Sequence, residues 1–394
     1  MILTSEFRHR SAQSWEKLLP FLSASQVRAC AFAVGEWFEE ACRATGNAGK
    51  CYRSALYQEG ELVGWSHPNS NTTELITAWL DLSEMAETPL SRQRYLENAI
   101  RYAHQLASDP IHGFYRGEEV SAHGLAWYWT DDGTYTGGYS MRALGPLLRL
   151  NALAPDSRLI DAALSIGNTF LGRQLPNGFA SVVGWCPRRG WLSERNAGSR
   201  YLYSVAVFAH LYRFTGDSRW KEAYERSVQA IEATQREDGA FYQHYDPVTL
   251  EPTDQSVKAP FFSYLLNAFS EAYPVFEDER LLTVSRRLGD FIVRTYAARH
   301  QLPYCLDPVY KADLAGAGSA VTDSAAGMLW LGAATGDARY RDVGAKLWLE
   351  GYLHQPHAPE APGWHGAIPI GDKRCDLWYA TAQVMASRRL LDLI

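Results

Sequence analysis

One helix start recurs along this chain, and the recurrence constrains the fold more than any other feature. It reads Arg94-Tyr-Leu-Glu-Asn-Ala, Arg158-Leu-Ile-Asp-Ala-Ala, Arg219-Trp-Lys-Glu-Ala-Tyr, Arg280-Leu-Leu-Thr-Val-Ser and Arg339-Tyr-Arg-Asp-Val-Gly. Four copies carry an acid two residues before the arginine: Asp156, Asp217, Asp278 and Asp337. An aspartate there is a helix N-cap, its carboxylate accepting from an unpaired backbone N–H of the first turn. Successive copies stand roughly 60 residues apart, too far for one hairpin of a short solenoid repeat.

Each of these amphipathic helices is followed by a turn with an aromatic residue: Gly113-Phe-Tyr, Gly178-Phe, Gly239-Ala-Phe-Tyr, Pro303-Tyr and Gly363-Trp. A less charged helix comes next, as in Tyr201 to Phe214, Ala259 to Ala272 and Ser324 to Ala334. The first helix of each pair has a solvated face. The second is apolar nearly all round, as a helix buried on both sides should be. An N-terminal outer helix over Ser25 to Thr45, an inner one over Thr72 to Met85, and a last inner one over Trp378 to Leu391 complete the set. Six outer and six inner helices without a polar capping repeat favour closure over an open stack. The expected fold is all-α, a single (α/α)6 barrel over residues 1–394, with short hairpins inside the loops Gly178 to Trp191 and Phe241 to Val248.

Composition removes several function classes. The net charge of −6 gives no basic face for sequence-independent nucleic-acid binding. No apolar run is long enough to span a bilayer, and the first residues lack a signal-peptide pattern. The expectation is a cytoplasmic protein with no membrane or nucleic-acid partner. Cysteines 30, 42, 51, 186, 305 and 375 form no Cys-x-x-Cys pair and read as free thiols. Aromatics make up 13% of the chain, enough to fill a core and still line a sugar site.

The barrel locates a site before any motif does. The long loops all enter the N-termini of the inner helices, so that end is a funnel where unpaired N–H groups favour anions. Six entrances read Asn69 to Glu74, Trp129 to Tyr135, Arg195 to Tyr201, Asp254 to Lys258, Thr322-Asp323-Ser324 and Asp372 to Trp378. Taken singly, their Ser, Thr, Asn and Asp residues are good caps. Taken together, they gather acids, cations and aromatics at one mouth. Asp131, Asp132 and Glu74 are the candidate catalytic acids. His123, Trp127, Trp129, Tyr135, Arg200, Tyr201, Lys258, Asp323, Trp364, His365 and Trp378 are the candidate substrate-binding residues. Adjacent carboxylates at Asp131-Asp132 raise one another's pKa, and the flanking tryptophans add desolvation, which suits a general acid near neutral pH.

Other constellations are weaker. His354-Gln-Pro-His357 with His365 has metal-ligand residue types, but Pro356 breaks the helix that would present them, so no metal is expected. The Gln235-Arg-Glu-Asp-Gly-Ala-Phe241 stretch is similar to a terpene-cyclase motif. The protonating Asp-x-Asp-Asp of those enzymes is absent, because Trp129 stands two before Asp131.

Trp129-Thr-Asp131-Asp132-Gly-Thr-Tyr135, followed by Ser-Met-Arg-Ala-Leu-Gly-Pro-Leu-Leu, resembles the segment bearing the catalytic aspartate in unsaturated glucuronyl and rhamnogalacturonyl hydrolases, glycoside hydrolase families 88 and 105. Gln235 to Tyr242 is similar to their Gln-x-x-Asp-Gly-x-Trp turn, Thr322 to Leu329 to their Ser-rich inner helix, and Leu377 to Leu391 to their closing helix. Two segments depart. Arg195-Asn-Ala-Gly-Ser-Arg200-Tyr201 stands where the family has Trp-Ala-Arg-Gly-Asn-Gly-Trp, and Glu74 stands near a second family aspartate.

The resemblance implies an (α/α)6 barrel acting on an acidic or unsaturated oligosaccharide without a cofactor. Asp131 would protonate C4 of a 4,5-unsaturated uronyl residue and then activate water for attack at C5. Arg200 or Lys258 would hold the carboxylate, the aromatics would stack on rings, and Asp132 or Glu74 would be the second acid. A sugar epimerase, a polysaccharide lyase or a terpene-type cyclase in the same barrel is the alternative, and a non-catalytic carbohydrate-binding scaffold is a second; fold does not decide among them.

Overall fold

The computed structural model describes residues 22–43, 52–58, 61–68, 72–108, 135–180, 184–186, 190–192, 197–253, 256–299, 302, 317–354 and 374–394. Among them are twelve α-helices: α1 (Ala24–Arg43), α2 (Thr72–Met85), α3 (Pro89–Ser108), α4 (Gly137–Leu153), α5 (Ser157–Arg173), α6 (Ser204–Thr215), α7 (Ser218–Thr234), α8 (Ala259–Phe276), α9 (Glu279–Arg299), α10 (Ala317–Thr335), α11 (Ala338–His354) and α12 (Leu377–Leu391). Short strands lie between them: β1 (Tyr52–Gln58), β2 (Glu61–Pro68), β3 (Tyr135–Thr136), β4 (Gly184–Cys186), β5 (Gly190–Leu192), β6 (Ala197–Gly198), β7 (His244–Tyr245) and β8 (Arg374–Asp376).

The even-numbered helices touch in the order α2, α4, α6, α8, α10, α12, and α12 touches α2 again. The ring is closed, as six hairpins with doubly buried inner helices require, and each odd-numbered helix packs against the inner helix beside it. The outer helices bury one stripe. In α7, Trp220, Tyr224, Ser227, Val228 and Ile231 are buried, while Arg219, Lys221 and Glu222 are exposed. Tryptophans fasten the two rings. Trp220 stacks on Phe208 at 6.2 Å, Trp79 on Tyr95 at 5.6 Å, and Trp348 donates its indole N–H to Ser387 Oγ at 2.8 Å.

The recurrent acid-x-Arg is a clamp at four of the five short turns. Asp156, Asp217, Asp278 and Asp337 each accept the backbone N–H two residues on, at 2.9 Å, and the same arginine folds back onto the carboxylate. Asp278 is the most enclosed of these four carboxylates. Burial alone would raise its pKa, but the Arg280 bonds outweigh burial and hold it below the usual range. The residue before the acid closes the inner helix in the left-handed conformation: Gly216 at φ 70°, Gly336 at φ 72° and, against its preference, Glu277 at φ 49°. Arg94 differs from the expectation. Helix α3 begins at Pro89 with Thr88 Oγ1 accepting the Ser91 N–H, so Arg94 lies in the second turn and reaches Glu39 instead.

At the other end of the outer helices the Gln-to-Gly turns have a structural role. Gln174 and Gln235 each donate to the carbonyl of the glycine four residues on, and across to the next outer helix at Ala223 O and Val284 O. Gly178 and Gly239 sit at φ 86° and 91°, where a Cβ would lie 1.8 and 2.1 Å from the carbonyls of Arg226 and Arg287. The segment 235–241 therefore ties neighbouring outer helices together.

The expected hairpin in the first loop is β4–β5, paired Gly184 to Leu192 and Trp185 to Trp191. In the second loop β7 pairs instead with β6, Ala197 to Tyr245 and Gly198 to His244. Cys30 and Cys42 are buried free thiols, and burial pushes Cys30 up to about 12. Among the described residues no helix is long and apolar enough to cross a membrane.

Candidate functional site

The sequence-selected residues that can be placed lie mostly where inner helices begin. Glu74 is in the first turn of α2, Tyr135 is in β3 directly before α4, and Trp378 is the second residue of α12. Arg200 and Tyr201 belong to a 3-10 turn, Ser199–Tyr203, that leads into α6, and Lys258 immediately precedes α8. Asp323 is a correction. Helix α10 begins at Ala317, so Thr322-Asp323-Ser324 lies in its second turn and not at its start. Asp131, Asp132, His123, Trp127, Trp129, Trp364 and His365 lie outside the described residues.

Short ladders tie the segments that lead into these helices. Strand β1 pairs with β8 through Ser54 and Asp376, so the approaches to α2 and α12 lie side by side. Tyr135 of β3 pairs with Trp185 of β4, and β6 with β7 joins the approach to α6 to the loop before α8. Tyr201 is 1% exposed, so its ring is packed in the wall. Lys258 carries its ammonium 5.4 Å from the Phe261 ring centre.

Sequence reasoning missed a second feature. The inner helices were expected to be apolar nearly all round, yet several carry charged side chains toward the barrel axis. The guanidinium of Arg142 stacks 4.3 Å from the Tyr264 ring centre. Glu271 of α8 accepts from Tyr203 Oη at 2.7 Å and lies 2.9 Å from His210 Nε2 of α6. Burial raises the Glu271 pKa, but these two partners outweigh it and hold the carboxylate below the ordinary range. Arg149 of α4 bridges Asp81 and Glu84 of α2, at 2.7 Å each. At Asp81 burial prevails over Arg149, and the pKa is raised. The legible signal was one or more acids, arginines or histidines in each of α2, α4, α6, α8 and α12, helices otherwise rich in Ala, Leu and aromatics.

These groups surround a cavity of about 730 Å³ lined by the C-terminal halves of α2, α4, α6, α8 and α12, among them Asp81, Arg149, His210, Glu271 and Arg389. Five inner helices that bring their C-terminal halves to one place run parallel, so their N-termini share the opposite end. Glu74, Tyr135, Arg200, Tyr201, Lys258 and Trp378 belong to segments at that opposite end, away from this cavity. No group of three or more potential metal ligands occurs among the described residues.

No protein-family model and no curated protein matches the sequence. Solved structures do share the fold. An unsaturated glucuronyl hydrolase from Bacillus sp. GL1, responsible for the degradation of glycosaminoglycan, superposes with a TM-score of 0.66 at 14% identity over 93% of this chain and 97% of its own. A family 88 glycosyl hydrolase from Bacteroides vulgatus gives 0.63 at 14% identity over 95% and 100%. A polysaccharide lyase gives 0.64 at 15% identity over 94% and 98%.

Proposed function

We propose, from a barrel shared over nearly its whole length with unsaturated glucuronyl hydrolases, that this chain is a carbohydrate-active enzyme that hydrates unsaturated uronyl oligosaccharides. One observation carries the reading. In sequence, Trp129-Thr-Asp131-Asp132 stands two residues before β3 and α4, and the start of α4 lies at the end of the barrel that gathers the inner-helix N-termini. A carboxylated sugar bound there gains from unpaired N–H groups and the aligned helix dipoles.

In this reading Asp131 donates its proton to C4 of the 4,5-unsaturated residue, and positive charge develops at C5 and the ring oxygen. The aspartate, now ionised, takes a proton from the water that attacks C5. The resulting hemiketal opens and releases the remaining sugar. Arg200 or Lys258 holds the uronate, and Asp132 or Glu74 keeps the acid protonated at rest. Trp127, Trp129, Tyr135, Trp364 and Trp378 supply ring faces, with His123, His365 and Asp323 nearby. The departure at Arg195 to Tyr201 points to a substrate unlike that of the glycosaminoglycan-degrading neighbour. The step requires no cofactor.

A lyase is a rival with a structural neighbour behind it. Incubating the protein with unsaturated uronyl oligosaccharides and following the absorbance of the C4=C5 bond separates the two. Loss of absorbance supports hydration. A gain on saturated polyuronate, with no loss on the unsaturated oligosaccharides, sinks hydration and establishes the lyase.

A further inference from the structure

We propose that the cavity at the C-terminal ends of the inner helices binds a small hydroxylated anion, a carboxylate or phosphate the size of one monosaccharide. The proposal stands apart from the reaction at the other end.

Four carboxylates and four arginines line the cavity, but they are unevenly paired. Arg149 engages Asp81 and Glu84, Arg388 engages Glu84 and Asp392, and His210 with Tyr203 engages Glu271. Every carboxylate that lines the cavity is thus committed. Two arginines of the lining, Arg213 and Arg389, have no carboxylate within ion-pair distance among the described residues. Arg389 donates at 2.6 Å to Ala326 O and at 2.6 Å to Ser270 Oγ, both neutral acceptors. Glu271 and Asp81 act on it only from longer range, and burial lowers its pKa. Leaving a partly buried guanidinium without a counter-charge is costly, so such a group recruits an anion.

Helix C-termini themselves favour cations, which offers a simpler role for these arginines. The bonds of Arg389 do not fit it. Ala326 lies in the middle of α10 and Ser270 well inside α8, so neither acceptor belongs to a helix end.

The hydroxyl part of the ligand follows from the inner wall. A smaller pocket shares Thr77, Glu271 and Met385 with the cavity and is lined also by Arg142, Tyr203 and Asn267. Asn267 is 7% exposed, and its side-chain oxygen has no hydrogen-bond partner among the described residues. An acceptor so placed calls for a hydroxyl donor. Gly145 lets the His210–Glu271 pair lie close against α4, since a Cβ there would stand 2.8 Å from His210 Nε2 and 3.2 Å from Glu271 Oε2. The cavity, about 730 Å³, falls within the range of small-molecule sites.

Titration calorimetry at low salt, with inorganic phosphate, glucuronate and glucose, tests this on the full chain. Phosphate, glucuronate or both should bind, and glucose should not; which anion binds identifies the headgroup. Replacing the exposed rim residue Arg213→Ala should weaken binding about tenfold, the worth of one charge-assisted hydrogen bond. Arg389→Met should abolish it in protein that still melts cooperatively. Arg200→Ala, at the opposite end, should leave this binding in place. The proposal fails if neither anion binds, if glucose binds as tightly as glucuronate, or if Arg213→Ala leaves anion affinity unchanged.

Discussion

The two ends of the inner ring differ in how the chain passes through them. At the C-terminal end α2, α4, α6, α8 and α10 are followed by connections of only two or three residues. At the last three of these turns the backbone is held by a left-handed cap, an aspartate and an arginine fork. At the N-terminal end each inner helix is reached through seventeen residues or more. A turn of two residues has almost no sequence freedom, because each position must satisfy a helix end. A connection of twenty has freedom to spare, and short ladders such as β1–β8 and β6–β7 hold it in place. Evolution can vary chemistry at the long end while the short end keeps the barrel shut.

This contrast predicts that substitutions at the two ends fall on different observables. The largest effect belongs to the long end. Asp131→Asn should lower turnover on unsaturated uronyl oligosaccharides by about 10²–10⁴, with ligand affinity and melting temperature little changed. Near-normal turnover in that variant would remove Asp131 from the chemistry, and loss on Asp132→Asn alone would shift the role to its neighbour.

Gly239→Ala tests whether the Gln-to-Gly turn is structural. The new methyl group would have to displace the Arg287 carbonyl at a φ that alanine avoids. A loss of about 2–4 kcal/mol in urea unfolding is expected. Intact stability with lost activity would instead move the turn into the site.

The caps grade the short end. Asp278→Ala should cost about 1–2 kcal/mol, because this acid also accepts from Tyr224 and is more enclosed than Asp217, whose replacement should cost less. Equal losses would mean that enclosure adds nothing to the clamp. At the same turn Glu277→Gly should stabilise by about 0.5–1 kcal/mol, since glycine adopts the left-handed position without strain.

A further effect is a pH slope. Burial raises Glu350 to about 7 from an ordinary 4.5, with Tyr296 Oη donating to it. A raised folded-state pKa means that the folded protein binds the extra proton. The associated stability is complete below about 4.5 and is lost as pH rises through about 7. Urea midpoints between pH 5 and 8 should therefore fall with pH, and Glu350→Gln should flatten that part of the slope. An unchanged slope would place the pH dependence elsewhere.

The legible parts of this protein are those governed by neighbours in sequence. Caps, helix periodicity and Gly-Asp turns act within one or two turns of helix. The acid-x-Arg repeats and the order of outer and inner helices could therefore be read directly. Helix α10 marks the boundary of that reasoning. Gly316 and Gly318 have poor helix propensity and argue for a later start, yet the helix begins at Ala317, enclosed by α8, α11 and α12. The axial charges mark it again. A helix buried on both sides has no solvated face, so its 3.6-residue period cannot say whether Arg142 or Glu271 turns toward the axis or toward the outer ring.

By itself the sequence determined the number of helices, their alternation and the clamps that join them, because those depend on short-range hydrogen bonding and on where apolar residues repeat. The β1–β8 and β6–β7 pairings and the meeting of Asp81 with Arg149 or Tyr203 with Glu271 were decided only by the tertiary structure. Each of those contacts joins residues tens to hundreds of positions apart. Which of many compatible partners meets another at such separations depends on packing the whole ring at once, which no local pattern encodes.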